Sequence, residues 1–220
     1  MTDHPGDEDL QAALALLSAD ERARYGRFVF PEDRRDFAAA HALLRRVLSL
    51  YAPVAPPAWI FDAPPGEKPA LVPWLGAPPL SFNLSHTRGL VACAVALDAD
   101  VGVDAERIDR VADGEDIAAR YFTAGETAAL MACDSPGRAT RFIELWTLKE
   151  AYLKAIGRGL ARPLNEVAFA FAADGTIAWD VPGAARDEWR FALFPLPNAR
   201  IAAAVTSPRR TDWSFVCRPL

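Results

Sequence analysis

The sequence predicts an α+β fold of two pseudo-symmetric lobes, each a long helix packed on a small antiparallel sheet, with a cleft between them. Three observations support this prediction. Two segments are predicted to form long helices, short strand-like runs follow each of them, and the same order of elements occurs in both halves without a sequence repeat. We place the division near Asp109, where the chain turns polar, which gives lobes of residues 1–108 and 109–220.

The first predicted helix runs from Pro31 to Tyr51, because its apolar residues recur at spacings of three and four. A group of prolines that begins at Pro53 ends it. Strands are predicted in the runs that follow between proline- and glycine-rich loops, namely Trp59–Phe61, Leu80–Leu84, Leu90–Leu97 and Val101–Glu106.

The second predicted helix runs from about Pro136 to Ile156, with Ser135 as N-cap and Gly157 beyond its end. A hairpin is predicted around Asp174-Gly175. The strands expected in this half are Val167–Phe171, Thr176–Asp180, Trp189–Phe194, Arg200–Val205 and Trp213–Cys217.

The composition excludes several classes of protein. With 220 residues, 51% of them hydrophobic, the chain can fill a globular core. A net charge of −5 argues against nucleic acid as the main partner. The longest apolar stretch, Leu90–Leu97, is far shorter than the ~18 residues of a membrane span, so no membrane association is expected. The acidic N-terminus and three scattered cysteines indicate a cytoplasmic protein without disulfides.

An excess of basic residues interrupts this acidic average. Seven arginines and three acids lie between Arg22 and Leu50. Either this is the solvated face of a long helix, or it is a site for a polyanionic ligand. His41 lies on the apolar face of the helix and is expected to be a boundary histidine with a hydrogen-bond partner.

Two carboxylates share one face of the strand Val101–Glu106, because alternate side chains of a strand point the same way. Asp104 and Glu106 would repel each other unless a cation or hydrogen-bond donors compensate them. Oxygen ligands of this kind suit Mg²⁺. A solvated strand end that happens to carry two acids is the alternative.

In the second predicted helix, Trp146, Glu150 and Lys154 are four residues apart and therefore lie on one face. Glu150 and Lys154 form either an ordinary intrahelical ion pair or a metal ligand beside a phosphate-binding or basic group. A third run, Phe82 to Gly89, ends in Ser85 and His86, whose polar groups could bind phosphate or simply form a turn.

Taken together, these three segments resemble the signature motifs of phosphopantetheinyl transferases of the surfactin-synthetase-activator type. The matching runs are FNLSHTRG, VGVDAERID and WTLKEAYLKAIGRG, with further likeness in RYGRFVFPEDRRDF, GEKPAL and RYFTAGE, over roughly residues 22–160. The resemblance implies two lobes in one chain, with coenzyme A in the active-site cleft between them.

The resemblance also implies site residues. It makes Asp104, Glu106 and Glu150 the Mg²⁺ ligands. Ser85 and His86 would contact the 3′-phosphate of coenzyme A, and Arg24 and Lys68 its phosphates. Glu126 matches a family glutamate that we group with the catalytic residues Glu150 and Lys154, while Gly157 and Gly159 would let the chain leave the helix. Arg34 and Arg35 stand where relatives carry a phosphate-binding residue, in an uncertain register, and stay outside the predicted site.

The implied reaction moves the phosphopantetheine arm of coenzyme A to a serine of an apo acyl or peptidyl carrier protein and releases 3′,5′-ADP. Glu150, Lys154 and a metal-bound water remain open as the base. Since both lobes lie in one chain, a monomer is expected. The rival hypotheses are a non-catalytic module that docks carrier protein or coenzyme A, and a Mg²⁺-dependent phosphohydrolase.

Overall fold

The computed structural model of the protein describes residues 7–64, 66–74, 76–110, 114–157, 162–185, 187–209 and 212–219. The helices are α1 (Asp7–Leu16), α2 (Ala19–Tyr25), α3 (Pro31–Leu48), α4 (Gly114–Tyr121), α5 (Ala124–Met131) and α6 (Ser135–Ala155). The strands are β1 (Phe61–Asp62), β2 (Ala70–Leu71), β3 (Leu80–Thr87), β4 (Leu90–Leu97), β5 (Asp100–Arg107), β6 (Ala168–Phe171), β7 (Ile177–Asp180), β8 (Trp189–Leu196) and β9 (Ala199–Thr206). Across these ranges no helix has the length and apolar character needed to cross a bilayer.

The first half is built on the predicted long helix. Apolar residues on one face of α3, such as Leu44 and Leu48, pack with Trp59 and with Phe82 of the antiparallel hairpin β3–β4. The other side of α3 is covered by α1, whose Ala13 belongs to the same apolar cluster as Phe37 of α3. The sequence analysis did not predict α1 or α2, because both are too short to show a strong periodicity.

A buried ion cluster joins α2 to α3. Glu21 Oε1 lies 2.8 Å from His41 Nδ1, and Glu21 Oε2 lies 2.8 Å from Arg45 Nη2. Burial alone would raise the pKa of Glu21, but hydrogen bonds from His41 and the Ser18 backbone N–H and the nearby charges lower it to about 2. His41 is the hydrogen-bonded boundary histidine that was predicted. The arginines between Arg22 and Leu50 were interpreted either as a solvated helix face or as a site for a polyanionic ligand. Arg45 fits neither interpretation, since it is only 1% exposed and is neither solvated nor open to a ligand.

The second half places α6 on the three-stranded antiparallel sheet β5-β9-β8. Ala202 and Ala204 of β9 have no exposed surface beneath it and join the largest apolar core. The N-cap of α6 is Asp134 rather than Ser135, because the Asp134 side chain accepts the Gly137 N–H.

The hairpin β6–β7 confirms the predicted turn, in which Gly175 has a φ of +83°. Gly157 follows α6 with a φ of +66°, as expected of a residue that ends a helix, while Gly159 lies outside the described residues. The predicted strand Trp213–Cys217 is wrong. No strand is assigned in residues 212–219, where Phe215 packs on Phe194 through its ring instead.

The structure confirms a mixed fold of helices and small antiparallel sheets. The long helix packs on a two-stranded hairpin in the first half and on a three-stranded sheet in the second, so pseudo-symmetry of the lobes stays a prediction. The division at residue 108 also stays a prediction. Because β5 pairs with β9, a strand of the second half, the pairing favours a lobe boundary before β5.

Gly102 brings β5 into direct backbone contact with α6. A Cβ atom at this position would lie 2.0 Å from Ala151 O and 2.4 Å from Ala155 N. Real Cβ atoms do not approach other atoms this closely, and both neighbours are backbone atoms that no rotamer change can move. The strand can therefore lie this near the helix only with glycine at residue 102.

We predict that Gly102→Ala destabilises the protein by more than ~2 kcal/mol, because the added methyl group must push β5 away from α6. Thermal unfolding followed by circular dichroism measures the loss. Gly125→Ala in α5 is the matched control, since open space surrounds its Cβ and alanine favours the helix. A Gly102→Ala protein with an unchanged melting temperature would contradict the close contact.

Candidate active site

The carboxylates of β5 lie against the polar face of α6, next to the Gly102 contact. Lys154 Nζ lies 2.6 Å from Asp104 Oδ1, although the two residues are 50 positions apart in the chain. Asp104 is only 4% exposed. The structure therefore brings the predicted strand beside the predicted helix, as a joint site requires.

Ser85 of β3 completes this contact from a third element. Its hydroxyl donates to Asp104 Oδ1 at 3.0 Å and accepts from Lys154 Nζ at 3.0 Å and from the Ala105 backbone N–H at 3.2 Å. The hydroxyl is thus fully used within the fold. Its predicted contact with the 3′-phosphate of coenzyme A stays a prediction, and would require one of these bonds to be exchanged.

Two buried carboxylate oxygens at this place, Asp104 Oδ2 and Glu150 Oε1, find no hydrogen-bond partner among the described residues. The pKa of Glu150 is raised, first by burial and then by the negative charge of Asp104, with a smaller contribution from Glu106; the positive charge of Lys154 opposes the rise. Three carboxylates therefore act on one another here, with Lys154 as a compensating cation.

This arrangement is suited to a hard cation, although its side chains do not form a complete set of metal ligands. Among the described residues, no three His, Cys, Asp or Glu side chains are placed to hold a metal ion as they stand. The ammonium of Lys154 occupies one oxygen of Asp104. The two oxygens without partners are nevertheless the donors that Mg²⁺ prefers, and Mg²⁺ commonly takes only one or two carboxylates and completes its shell with water and phosphate.

The predicted phosphate-binding residues occupy different surroundings. Lys68 Nζ donates to Val101 O at 2.7 Å and to Ala155 O at 3.3 Å, so it joins the start of β5 to the end of α6. Burial lowers the pKa of Lys68, and the charge of Asp100 opposes this. His86 and Arg24 are exposed, and the Arg24 guanidinium lies 5.3 Å from the Phe37 ring. Their roles toward coenzyme A stay predictions.

Glu126 belongs to a separate, fully paired cluster, which weighs against the catalytic role given to it above. Its Oε2 lies 2.8 Å from Lys149 Nζ and accepts the Thr123 N–H, while its Oε1 accepts the Phe169 N–H. Both oxygens are thus occupied in a residue that is 3% exposed. These contacts favour a structural role, in which Glu126 ties α5 to α6 and β6.

Three residues were missed in the sequence analysis. Lys149 could have been found from its helical neighbours Leu145 and Leu153, which place it on an apolar face where only a paired charge is stable. Glycine inside a strand, as at Gly102, signals close backbone approach. Asn83, whose Oδ1 accepts the Val103 N–H at 2.9 Å, gave no signal beyond its place in the motif.

Comparison with known families decides where the chain belongs. A family model described as the 4′-phosphopantetheinyl transferase superfamily matches residues 100–206, and one described as 4′-phosphopantetheinyl transferase, N-terminal, matches residues 2–98. The chain belongs to the 4′-phosphopantetheinyl transferase superfamily. The two matches meet between β4 and β5, just before the strand that carries Asp104.

Two relatives of this transferase-superfamily chain agree with the assignment by their sequences. It is 40% identical to 4′-phosphopantetheinyl transferase HetI of Nostoc sp. over 164 residues. The aligned region covers 74% of this chain and 69% of the relative. It is 28% identical over 175 residues to 4′-phosphopantetheinyl transferase Sfp of Bacillus subtilis, over 80% and 75% of the two chains. A crystal structure of a holo-(acyl-carrier-protein) synthase from Bacillus anthracis in complex with CoA (3′,5′-ADP) aligns with 49% of this chain and 94% of its own, at 16% identity and a TM-score of 0.43.

The raised pKa of Glu150 gives a prediction for stability. Ionised Glu150 is less favourable in the folded than in the unfolded chain, so it lowers stability above its ordinary pKa of 4.5 and has no such effect well below that pH. We expect Glu150→Gln to raise the melting temperature at pH 7, with a gain that shrinks toward pH 4.

Glu144→Gln is the matched control on the same helix. Glu144 Oε1 lies 3.0 Å from Arg200 Nε, and Oε2 lies 3.2 Å from Arg141 Nη1, so its removal breaks ion pairs and should lower the melting temperature. Equal losses in the two variants, measured by differential scanning calorimetry across this pH range, would show that Glu150 is an ordinary structural acid.

Proposed function

We propose that the protein transfers the 4′-phosphopantetheine arm of coenzyme A to a serine of an apo acyl or peptidyl carrier protein, with Mg²⁺ as cofactor. Membership of the superfamily supports the reaction type. The observation that carries the proposal is the polar cluster between β5 and α6, where Lys154 lies against Asp104 beside two buried carboxylate oxygens that have no hydrogen-bond partner in the described part of the chain. A fold retains such an unfavourable arrangement where function uses it.

The residues divide the chemistry between them. Asp104, Glu106 and Glu150 would hold Mg²⁺, which when bound would neutralise negative charge on the pyrophosphate of coenzyme A. The Lys154 ammonium adds a second positive charge at the same place and stabilises the charge that builds on the phosphoryl oxygens as 3′,5′-ADP leaves. Arg24, Lys68 and His86 are the proposed contacts to the remaining phosphates, and one N–H of Lys68 is left after its two backbone bonds.

The proton of the carrier serine needs an acceptor. In the metal-free protein burial raises the pKa of Glu150, which favours protonation of its carboxylate, whereas a bound Mg²⁺ would oppose this rise. Lys154 is charged in its contact with Asp104 and would first have to lose a proton. A water molecule in the site is the third candidate. Glu126 is not proposed as a base, because both of its oxygens are held within the fold.

The test is mass spectrometry of apo carrier proteins incubated with coenzyme A and Mg²⁺. We expect each accepted carrier to gain the mass of one phosphopantetheine arm. Asp104→Asn and Glu150→Gln should slow transfer by about a hundredfold or more, because each removes charge that acts on the transition state. Glu115→Gln should keep the rate, since Glu115 is an exposed acid of α4 that pairs with Arg138.

Two results would contradict the proposal. Coenzyme A hydrolysed without any gain of carrier mass would indicate a phosphohydrolase. Coenzyme A or carrier bound without any reaction, across a panel of fatty-acid, polyketide and peptide carriers, would indicate a non-catalytic module.

We also propose that the protein acts as a monomer, because β5, α6 and β3 of a single chain supply the whole polar cluster. Light scattering at the concentration of the transfer assay should give a mass near 23.9 kDa. Activity that disappears when an oligomer is diluted to monomers would contradict this.

A further inference from the structure

Side chains, rather than a ladder of backbone hydrogen bonds, join β3 to β5 at two points in the described structure. Asn83 Oδ1 accepts the Val103 N–H at 2.9 Å, and Ser85 Oγ accepts the Ala105 N–H at 3.2 Å. Both donors belong to the strand that carries Asp104. Ser85 and Asn83 therefore share one structural task, and this makes them a natural pair for comparison.

Ser85 has a second set of contacts that Asn83 lacks. Its hydroxyl has one proton, which it donates to Asp104 Oδ1 at 3.0 Å, and it accepts from Lys154 Nζ at 3.0 Å. With the Ala105 N–H this uses the one donor and both lone pairs of the hydroxyl. Because Ser85 is 6% exposed, water does not compete for these bonds.

These bonds give the two carboxylate oxygens of Asp104 different surroundings. Oδ1 is held by Ser85 and, at 2.6 Å, by Lys154, whereas Oδ2 is buried without a partner among the described residues, as is Glu150 Oε1. Two bonds to the same oxygen prevent the carboxylate from rotating and exchanging its oxygens. The orientation of Asp104, and the place of the Lys154 ammonium, thus depend on one hydroxyl.

We propose that Ser85 is a positioning residue: it turns Asp104 so that Oδ2 is presented to the divalent cation, and it holds the Lys154 ammonium beside the reacting phosphate. The proposal rests on the function proposed above, and it replaces the phosphate contact assigned to Ser85 by resemblance. Groups that orient a metal ligand typically change metal affinity or activity by about 10- to 100-fold when they are removed.

The two roles predict opposite results for Ser85→Ala. A positioning role predicts that affinity for Mn²⁺, titrated by electron paramagnetic resonance with saturating coenzyme A and no carrier, falls about tenfold or more. It predicts a similar fall in kcat, while the Kd of coenzyme A measured by calorimetry without metal changes less than about twofold. A phosphate contact predicts a weaker Kd for coenzyme A, with Mn²⁺ affinity and kcat at saturation preserved.

Three further variants make the result decisive. Ser85→Cys fills the same space with a much weaker hydrogen-bond donor, so it should behave like Ser85→Ala even if the alanine variant folds poorly. Asn83→Ala removes the same kind of strand-to-strand bond and should lower the melting temperature without changing Mn²⁺ affinity. His86→Ala, at the exposed neighbouring residue, should weaken coenzyme A binding and leave Mn²⁺ affinity unchanged.

Unchanged Mn²⁺ affinity in both Ser85 variants, or equal loss of it in Asn83→Ala, would overturn the proposal. So would wild-type protein that binds no Mn²⁺. None of these binding measurements requires transfer, so a failure of the proposed transferase function appears separately, as an absence of product with wild-type protein.

Discussion

The contact between the backbones of β5 and α6 at Gly102 is the constraint on which the rest of the site depends. A side chain at this position would overlap Ala151 and Ala155, so only glycine lets the strand lie against the helix. Once the two are this close, Asp104, two residues further along the same face of β5, lies within ion-pair distance of Lys154. Lys68 strengthens the contact by bonding to carbonyl groups of both elements.

The buried carboxylates of the protein have two kinds of surroundings. Glu21 and Glu126 each receive a cation and backbone or side-chain donors, which use both of their oxygens. At the β5–α6 contact, by contrast, Asp104 and Glu150 have Lys154 as their common cation, and each retains an oxygen without a partner among the described residues. The first arrangement stabilises the packing of helices. The second leaves buried negative charge that Lys154 compensates only in part and that a divalent cation would compensate further.

Part of this could be predicted from the sequence. The apolar periodicity of α3 is strong, and the uninterrupted apolar run of β4 has the bounds that were predicted. The helices α4 and α5 were not predicted, because each has only 8 residues and packing rather than propensity stabilises helices this short. The Trp213–Cys217 run has the composition of a strand, but a strand also requires a pairing partner, which composition does not specify.

The site shows the same limit at the level of single residues. Residue types and spacing placed Asp104 beside Glu106 on one strand face and Glu150 beside Lys154 on one helix face, and the family resemblance joined the two pairs. They could not tell a serine that binds a ligand from one that binds Asp104, nor a catalytic glutamate from one paired with a buried lysine. Both distinctions depend on which elements are neighbours in space.

The most direct test of the account is a crystal structure of the protein with coenzyme A and Mn²⁺, with the metal located by its anomalous scattering. The account predicts one strong peak within bonding distance of both Asp104 Oδ2 and Glu150 Oε1, with Lys154 close to the pyrophosphate and Ser85 still bonded to Asp104 Oδ1. A metal held by the phosphates alone, or bound without Asp104 and Glu150, would contradict it.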